Sequence, residues 1–429
     1  MQEPIAIAAP PPRLRTFAAF GVRDFRVLWA GTWASYIPFF MANVVNGVVA
    51  FHLAHVNRAV GTVVFAQGIA MAVLAPIGGA GADRWPKRRV LAMSQSAAAA
   101  VFGTFALLLA LDRLSIAALA AGAFVLGIAI SFLGPARQAF AAELVGPDLR
   151  GNAVALNQVP LTGSQVLGPA IAALMLASPL GAAGAYALMG ALYATSALSL
   201  LGLPHSPARA NAAETHVLAD LREGLLYVGS HPRLRLLVGF FVCVIMMGFS
   251  YVTVLPGLVE HALGRSADAV PPLFLTSALG GLTVTLVTAR LAGGARALPL
   301  FVSMPFVLAA GLLGLYAAPT YGLAIAAMFL VGIGFGGFQT LNAAVIVQVT
   351  EPAYFGRVFS LSMLAFAGVS LMSLPVGILA DAIGERATLA TLSGVVVVIA
   401  GLVGSRLRGS RGASPDSGPT VDQDEGSRH

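Results

Sequence analysis

Asp83, Arg84, Lys87, Arg88 and Arg89 place five charges within seven positions of a chain in which 58% of residues are hydrophobic and 10% are charged. Such a cluster can pair with opposite charge, meet phosphate headgroups, or engage the partial charge at a helix end. If the apolar run over residues 60–82 is a membrane helix, its C-terminal end carries partial negative charge from unpaired carbonyls. Arg84, Lys87 and Arg88 suit that end. Asp83 does not, and needs the neighbouring cations or the N-terminus of another helix. On charge alone the plainer reading is a basic loop that fixes orientation across the membrane.

The other side chains able to do chemistry are polar residues inside apolar runs. Asn43 and Asn46 lie three apart, as do Gln339 and Asn342; Asn157, Gln158, Thr162 and Gln165 share one run, and Gln67 and Tyr251 sit in two more. Each can be interhelical hydrogen-bond glue or the lining of a polar cavity. Arg137 stands near the end of its run. Asp83, Glu143, Glu260 and Asp381 all fall at the ends of runs, so no acid is expected at mid-membrane, where one would bind a cation or carry a proton. An enzyme is not expected: no metal-spaced cluster of His, Asp and Glu and no phosphate-binding Gly loop with Lys occurs, and no cofactor is implied. Cys243 is the single cysteine, so the chain can form no internal disulfide and no cysteine metal site.

These residues need elements to hold them, and composition says which. A soluble domain carries roughly 25% charged residues, and the mean hydropathy here is +0.85. A span needs about 20 apolar residues, and about twelve such runs fit, which predicts an all-α integral membrane protein of twelve transmembrane helices. Residues 1–24 read as a tail and 25–203 as a six-helix bundle. Residues 204–235 read as a linker with an amphipathic helix, 236–404 as a second six-helix bundle, and 405–429 as a polar tail. No cleavable signal peptide is expected. With both termini inside, all but four of the 25 Lys and Arg (Arg58, Arg113, Arg265 and Arg386) lie on the cytoplasmic side, which predicts that orientation. The net charge of +7 then faces anionic lipid and not nucleic acid. The halves also echo each other. Leu126-Gly127-Ile128 recurs as Val331-Gly332-Ile333, and at the same separation Pro147, Gly151 and Leu156 match Pro352, Gly356 and Leu361. A parallel repeat of this kind places a transport site at the interface of two pseudo-symmetric bundles.

The loop Gly79-x3-Asp83-Arg84-x2-Lys87-Arg88 resembles the signature between the second and third spans of the major facilitator superfamily of secondary transporters. It departs at Gly81, where the family often has Leu, and at Pro86, where it usually has Gly. Phe132-Leu-Gly-Pro135-Ala136-Arg137-Gln138-Ala139 and Glu143-Leu-Val, with Asp220-Leu-Arg222-Glu223-Gly224 and Gly356-Arg357-Val-Phe-Ser360, look like the branch containing enterobactin-type siderophore exporters and macrolide efflux pumps. Gly163, Gly168 and Pro169 loosely resemble a Gly-Pro motif of drug–proton exporters, and equally fit plain close packing of helices. The resemblance implies a multi-pass transporter of the cell inner membrane that works by alternating access and exports a lipophilic drug, antibiotic or siderophore. An ion gradient is expected to drive it and the chain to act as a monomer; if the gradient is one of protons, the titrating group is expected among the span-end acids, Asp83 or Glu143 first. The resemblance implies a cytoplasmic gate of Gly79, Asp83, Arg84, Lys87 and Arg88 closing on Gly356 and Arg357. It also implies a cavity lined by Asn43, Asn46, Gln67, Arg137, Asn157, Gln158, Tyr251, Gln339 and Asn342. An importer or uniporter of a small metabolite, or a transport-inactive receptor or channel on the same fold, stays open at this point.

Overall fold

The structure, a computed structural model, describes residues 17–204, 217–288, 296–351 and 354–412; the side chains of 75–84, 217–221, 355–357, 359–360, 362–364, 366 and 408–412 lie outside the description. Apolar runs of this length meet no water inside a bilayer, so each must satisfy its own peptide groups, and the helix does that. The helices are α1 (Arg23–Ala54), α2 (Asn57–Arg84), α3 (Lys87–Ala110), α4 (Ile116–Leu144), α5 (Arg150–Leu176) and α6 (Gly181–Ser199). After the linker helix α7 (Val217–Ser230) come α8 (Pro232–Phe249), α9 (Val270–Thr288), α10 (Ala297–Ala317), α11 (Tyr321–Val349), α12 (Phe355–Ile383) and α13 (Glu385–Gly412). Among the described residues, eleven of these are long and apolar enough to cross a membrane. In α12 the apolar stretch described is Ala367–Ile383. No strand occurs among the described residues, and the all-α membrane class expected from composition holds.

Local sequence sets where the helices turn. Ser115 caps α4 by accepting from the Ala118 amide, a standard use of a short hydroxyl side chain. At the end of α1, His55 adopts a left-handed conformation (φ 51°) that stops the helix and starts the turn into α2. The seventh apolar run, Leu236–Leu258, is long enough in sequence for one span, and it is not one helix. From Ser250 the chain tightens into a 3-10 turn, passes through Pro256 and ends in a π turn over Leu258–Ala262. Pro256 removes a backbone donor inside the run, and the ladder shifts register around it.

The chain runs up and down, so the α2–α3 turn lies at the face bearing the chain ends (the termini face), and the α1–α2 turn lies at the opposite face. Within the first bundle α2 packs on α4, α3 on α4 and α6, and α1 on α5 and α6; within the second, α11 packs on α9 and α10, and α10 on α13. The bundles meet chiefly through α2 against α12 and α5 against α9. Small residues permit this, since no hydrophobic force drives helices together in lipid and close backbone approach must do so. A methyl group at Gly61 of α2 would lie 2.5 Å from the Ser373 carbonyl oxygen of α12, and one at Gly377 would lie 2.7 Å from the Asn57 carbonyl oxygen. Linker helix α7 attaches to the second bundle. Val228 packs in a cluster with Val238, Ile346, Val358 and Leu361, and the Tyr227 ring stacks on Tyr354 at 4.0 Å.

Candidate functional site

Helix α1 carries an aromatic stripe, Trp29, Trp33, Tyr36 and Phe40, beside its two asparagines. The asparagines part company. Asn43 is exposed and, with Phe39, Gln67 of α2, Phe102, Ile130 and Tyr193, lines a small recess inside the first bundle. The recess has room for about one water molecule. Asn46 is buried, and its carbonyl accepts from the Tyr186 hydroxyl of α6 at 3.0 Å. Asn157 of α5 is likewise buried and accepts from Thr32 at 3.2 Å. In this conformation Asn46 and Asn157 hold helices together, a role their types always allowed.

Arg137 follows Pro135 on α4 and is 1% exposed. Its guanidinium lies 5.8 Å from the centroid of the Tyr36 ring, at the range of a cation–π contact. None of Nε, Nη1 or Nη2 has a hydrogen-bond partner among the described residues. A guanidinium stays charged in proteins, and an ion in low dielectric costs several kcal/mol without a counter-charge. The interior of the first bundle therefore holds one cation with no acid against it among the described residues.

A second, open cleft of about 400 Å³ lies where α1, α5 and α9 meet, lined by Trp33, Gln158, Thr162, Val166 and Leu282. Gln158 is exposed to it. The glycines of the exporter-like motif sit on the α1 side of α5: a methyl on Gly163 would strike the Trp33 ring, and one on Gly168 would lie 2.5 Å from Phe40 Cβ. With Pro169 buried beside them, they bring α5 against α1. In the second bundle Tyr251 is buried. Gln339 is half-buried and Asn342 buried on α11.

The charged loop divides. Lys87 Nζ, 2% exposed, pairs with Glu143 of α4 at 2.9 Å. Arg88 donates to the carbonyls of Leu201 and Leu203 at the end of α6, both at 2.8 Å. Both cations thus make contacts inside the first bundle. Gly79, Asp83, Arg84, Gly356 and Arg357 lie outside the residues whose side chains are described. Sequence reasoning passed over Trp33, Tyr36 and Tyr193, although the aromatic spacing on α1 marked the first two as one helix face.

The helices before and after the linker helix meet chiefly through two helix pairs, with one small recess among the first six and one open cleft where the two sets meet. The model of the Major Facilitator Superfamily matches residues 28–369. The chain belongs to the major facilitator superfamily. It is therefore a multi-pass membrane transporter of a small-molecule substrate, and not an enzyme. Over 340 residues it is 26% identical to an enterobactin exporter of Shigella flexneri, covering 78% of this chain and 79% of that protein. Over 343 residues it is 27% identical to that of Shigella boydii serotype 18, with the same coverage. Among solved structures, an inward-facing, unoccupied bacterial homologue of the human lysosomal transporter Spinster gives a TM-score of 0.72 at 13% identity, covering 91% of this chain and 98% of that one. The nucleoside transporter NupG gives 0.68 at 16% identity, covering 90% and 99%. At those identities the likeness is one of fold.

Proposed function

We propose that this member of the superfamily is a secondary active exporter of lipophilic small molecules that are neutral or anionic. The two bundles, residues 25–203 and 236–404, rock about a central site by alternating access, with both termini cytoplasmic in the inner membrane and the chain acting as a monomer. Asn43, Gln67, Gln158 and Gln339 line the path, and Tyr251 and Asn342, buried in this conformer, join it as the bundles rock. Asp83 closes the cytoplasmic face against the start of α12 near Gly356 and Arg357, where a helix N-terminus favours an anion. The export direction follows the enterobactin exporters that the chain resembles, and an ion gradient, with protons the first choice, drives it.

The observation that carries the substrate class is Arg137. It is a buried guanidinium with no acid against it among the described residues, in a chain whose sequence places no acid at the middle of a span. A hydrophobic cation would meet repulsion there, and an organic anion would supply the missing charge. The test is uptake into inverted vesicles of a cationic, a neutral and an anionic lipophilic substrate, with and without an imposed pH gradient, by wild type and Arg137→Ala. Gradient-dependent uptake of neutral or anionic substrates, with the anion lost selectively in the variant, is expected. Strong uptake of ethidium, a permanent cation, overturns the charge argument, and unchanged anion uptake by Arg137→Ala removes that residue from the site.

A further inference from the structure

The face opposite the chain ends is closed by a set of polar contacts that run between the bundles. Asp381, near the end of α12, accepts from the backbone amides of Asn57 at 2.7 Å and Arg58 at 3.1 Å. These are the first two residues of α2, and their N–H groups have no acceptor within their own helix. Asn57 is 1% exposed, and its side-chain amide donates to Glu385 at the start of α13 at 2.8 Å. Glu385 in turn bonds His261 of the π turn at 2.7 Å. Alongside, His55 of the α1–α2 turn meets Glu260 of the π turn at 2.8 Å. Gly377 provides the room, because any side chain there would press on the Asn57 carbonyl.

Three features separate this set from ordinary surface pairing. The Asp381 side chain is 19% exposed although the residue as a whole lies at the surface, and its carboxylate is aimed at a helix N-terminus instead of a mobile cation. The nearest cation, Arg58, stands off at 4.0 Å with 66% of its side chain exposed, so it contributes little. Finally, the Asp381 and Glu385 bonds to Asn57 join the first bundle to the second. In a protein that works by alternating access, contacts between the bundles at one face must break when that face opens, whereas contacts inside a bundle need not.

We propose that Asp381 and Glu385 form a latch that holds the face opposite the chain ends closed by capping the start of α2, and that releases when the transporter opens there. The antiparallel pair α2–α12 then carries an acid at each end. Asp381 of α12 meets the start of α2 at one face, and Asp83 of α2 meets the start of α12 at the other. The second half of that statement rests on the role proposed above for Asp83; the first does not. The conformer with the cytoplasmic face open is held by Asp381, its opposite by Asp83, and a ligand shifts the balance only by preferring one of them.

The test reads the population directly. Spin labels are placed at Arg113→Cys and Gly322→Cys, exposed positions at the α3–α4 turn and the start of α11, in a Cys243→Ser background of the full chain in lipid nanodiscs. Wild type should give a dominant short distance. Asp381→Asn should raise the long-distance population about tenfold, since it removes a charge-assisted cap of two amides. Glu385→Gln should act in the same direction, and Arg58→Ala should change the ratio by less than about twofold. A second variant guards against simple misfolding: Asn57→Asp is a residue that α2 by itself favours at its start, yet it sets a third acid against Asp381 and Glu385 and should open the face further. Unchanged distances in both Asp381→Asn and Asn57→Asp overturn the latch. Asp83→Asn should shift the distances the other way. No shift there, with Asp381→Asn active, removes the Asp83 role and leaves this latch standing.

Discussion

Gly61→Ala tests the closed interface by shape, with no charge involved. Gly61 lies about one turn from the start of α2, and the methyl group would sit 2.5 Å from the Ser373 carbonyl oxygen and 2.9 Å from Leu374 Cα. Both are backbone atoms of α12, so neither can rotate aside. Non-bonded heavy atoms settle near 3.5–4.0 Å, and the helices must therefore part by nearly an ångström. Inserting a methyl into a packed interface costs about 1–3 kcal/mol. The gain of Ala over Gly in helix propensity, about 0.5–1 kcal/mol, falls equally on both conformers and cancels. If the contact belongs to the conformer closed at this face, the closed-to-open ratio drops by about five- to 150-fold. The same spin-label pair reads the shift. Gly239→Ala on α8, where an added methyl meets nothing within 4 Å, is the control and should leave the distances alone. A wild-type distribution in Gly61→Ala, or an equal shift in Gly239→Ala, would refute the reasoning.

Two further predictions concern what holds the first bundle together. Glu143→Gln should lower the thermal midpoint in detergent by more than Lys87→Met, because it leaves a buried ammonium without its counter-charge while the Met variant removes the charge altogether; the reverse order would show that the pair is not a clamp. Tyr186→Phe should cost about 1–3 kcal/mol by leaving the Asn46 carbonyl buried and unpaired, with substrate KM unchanged. A shifted KM at full thermal stability would return Asn46 to the substrate path.

The class of fold was legible because a bilayer leaves so few choices: apolar length and the placement of basic residues decide the helices. The seventh span was not legible past Ser250, since hydropathy continues unbroken through Val254, Leu255 and Leu258 while Pro256 interrupts the ladder. Within the candidate site, residue type was readable and partner was not. Asn43 and Asn46 lie three apart, a spacing that suggests one face, but three residues leave them about 60° apart around the helix. That angle suffices to turn one into the recess and the other onto Tyr186. The acids at span ends were visible as such in Glu260 and Asp381. Their use was hidden, because capping the start of α2 depends on which helix ends the fold brings together.

The signs of the charges follow that division of labour. Arg88, at the start of α3, donates to the last carbonyls after α6, Leu201 and Leu203. Arg386, at the start of α13, donates at 2.7 Å to Tyr316 and Ala318 at the end of α10. The two sit at opposite faces of the protein in opposite bundles, and each ties a helix of its own bundle to a neighbour by capping unpaired carbonyls. Lys87 ties α3 to α4 inside the first bundle by an ion pair with Glu143, and Arg265 packs over the Tyr321 ring in the second. The acid at Asp381 caps across bundles instead, and the cation beside it among the described residues, Arg58, reaches it weakly. If the bundles rock as proposed, cations that cap carbonyls stiffen each bundle, and the acid that caps amides sits where the bundles part. Alternating access calls for that arrangement, because a clamp that broke in each cycle would soften the bundle, and a latch within one bundle would hold nothing closed.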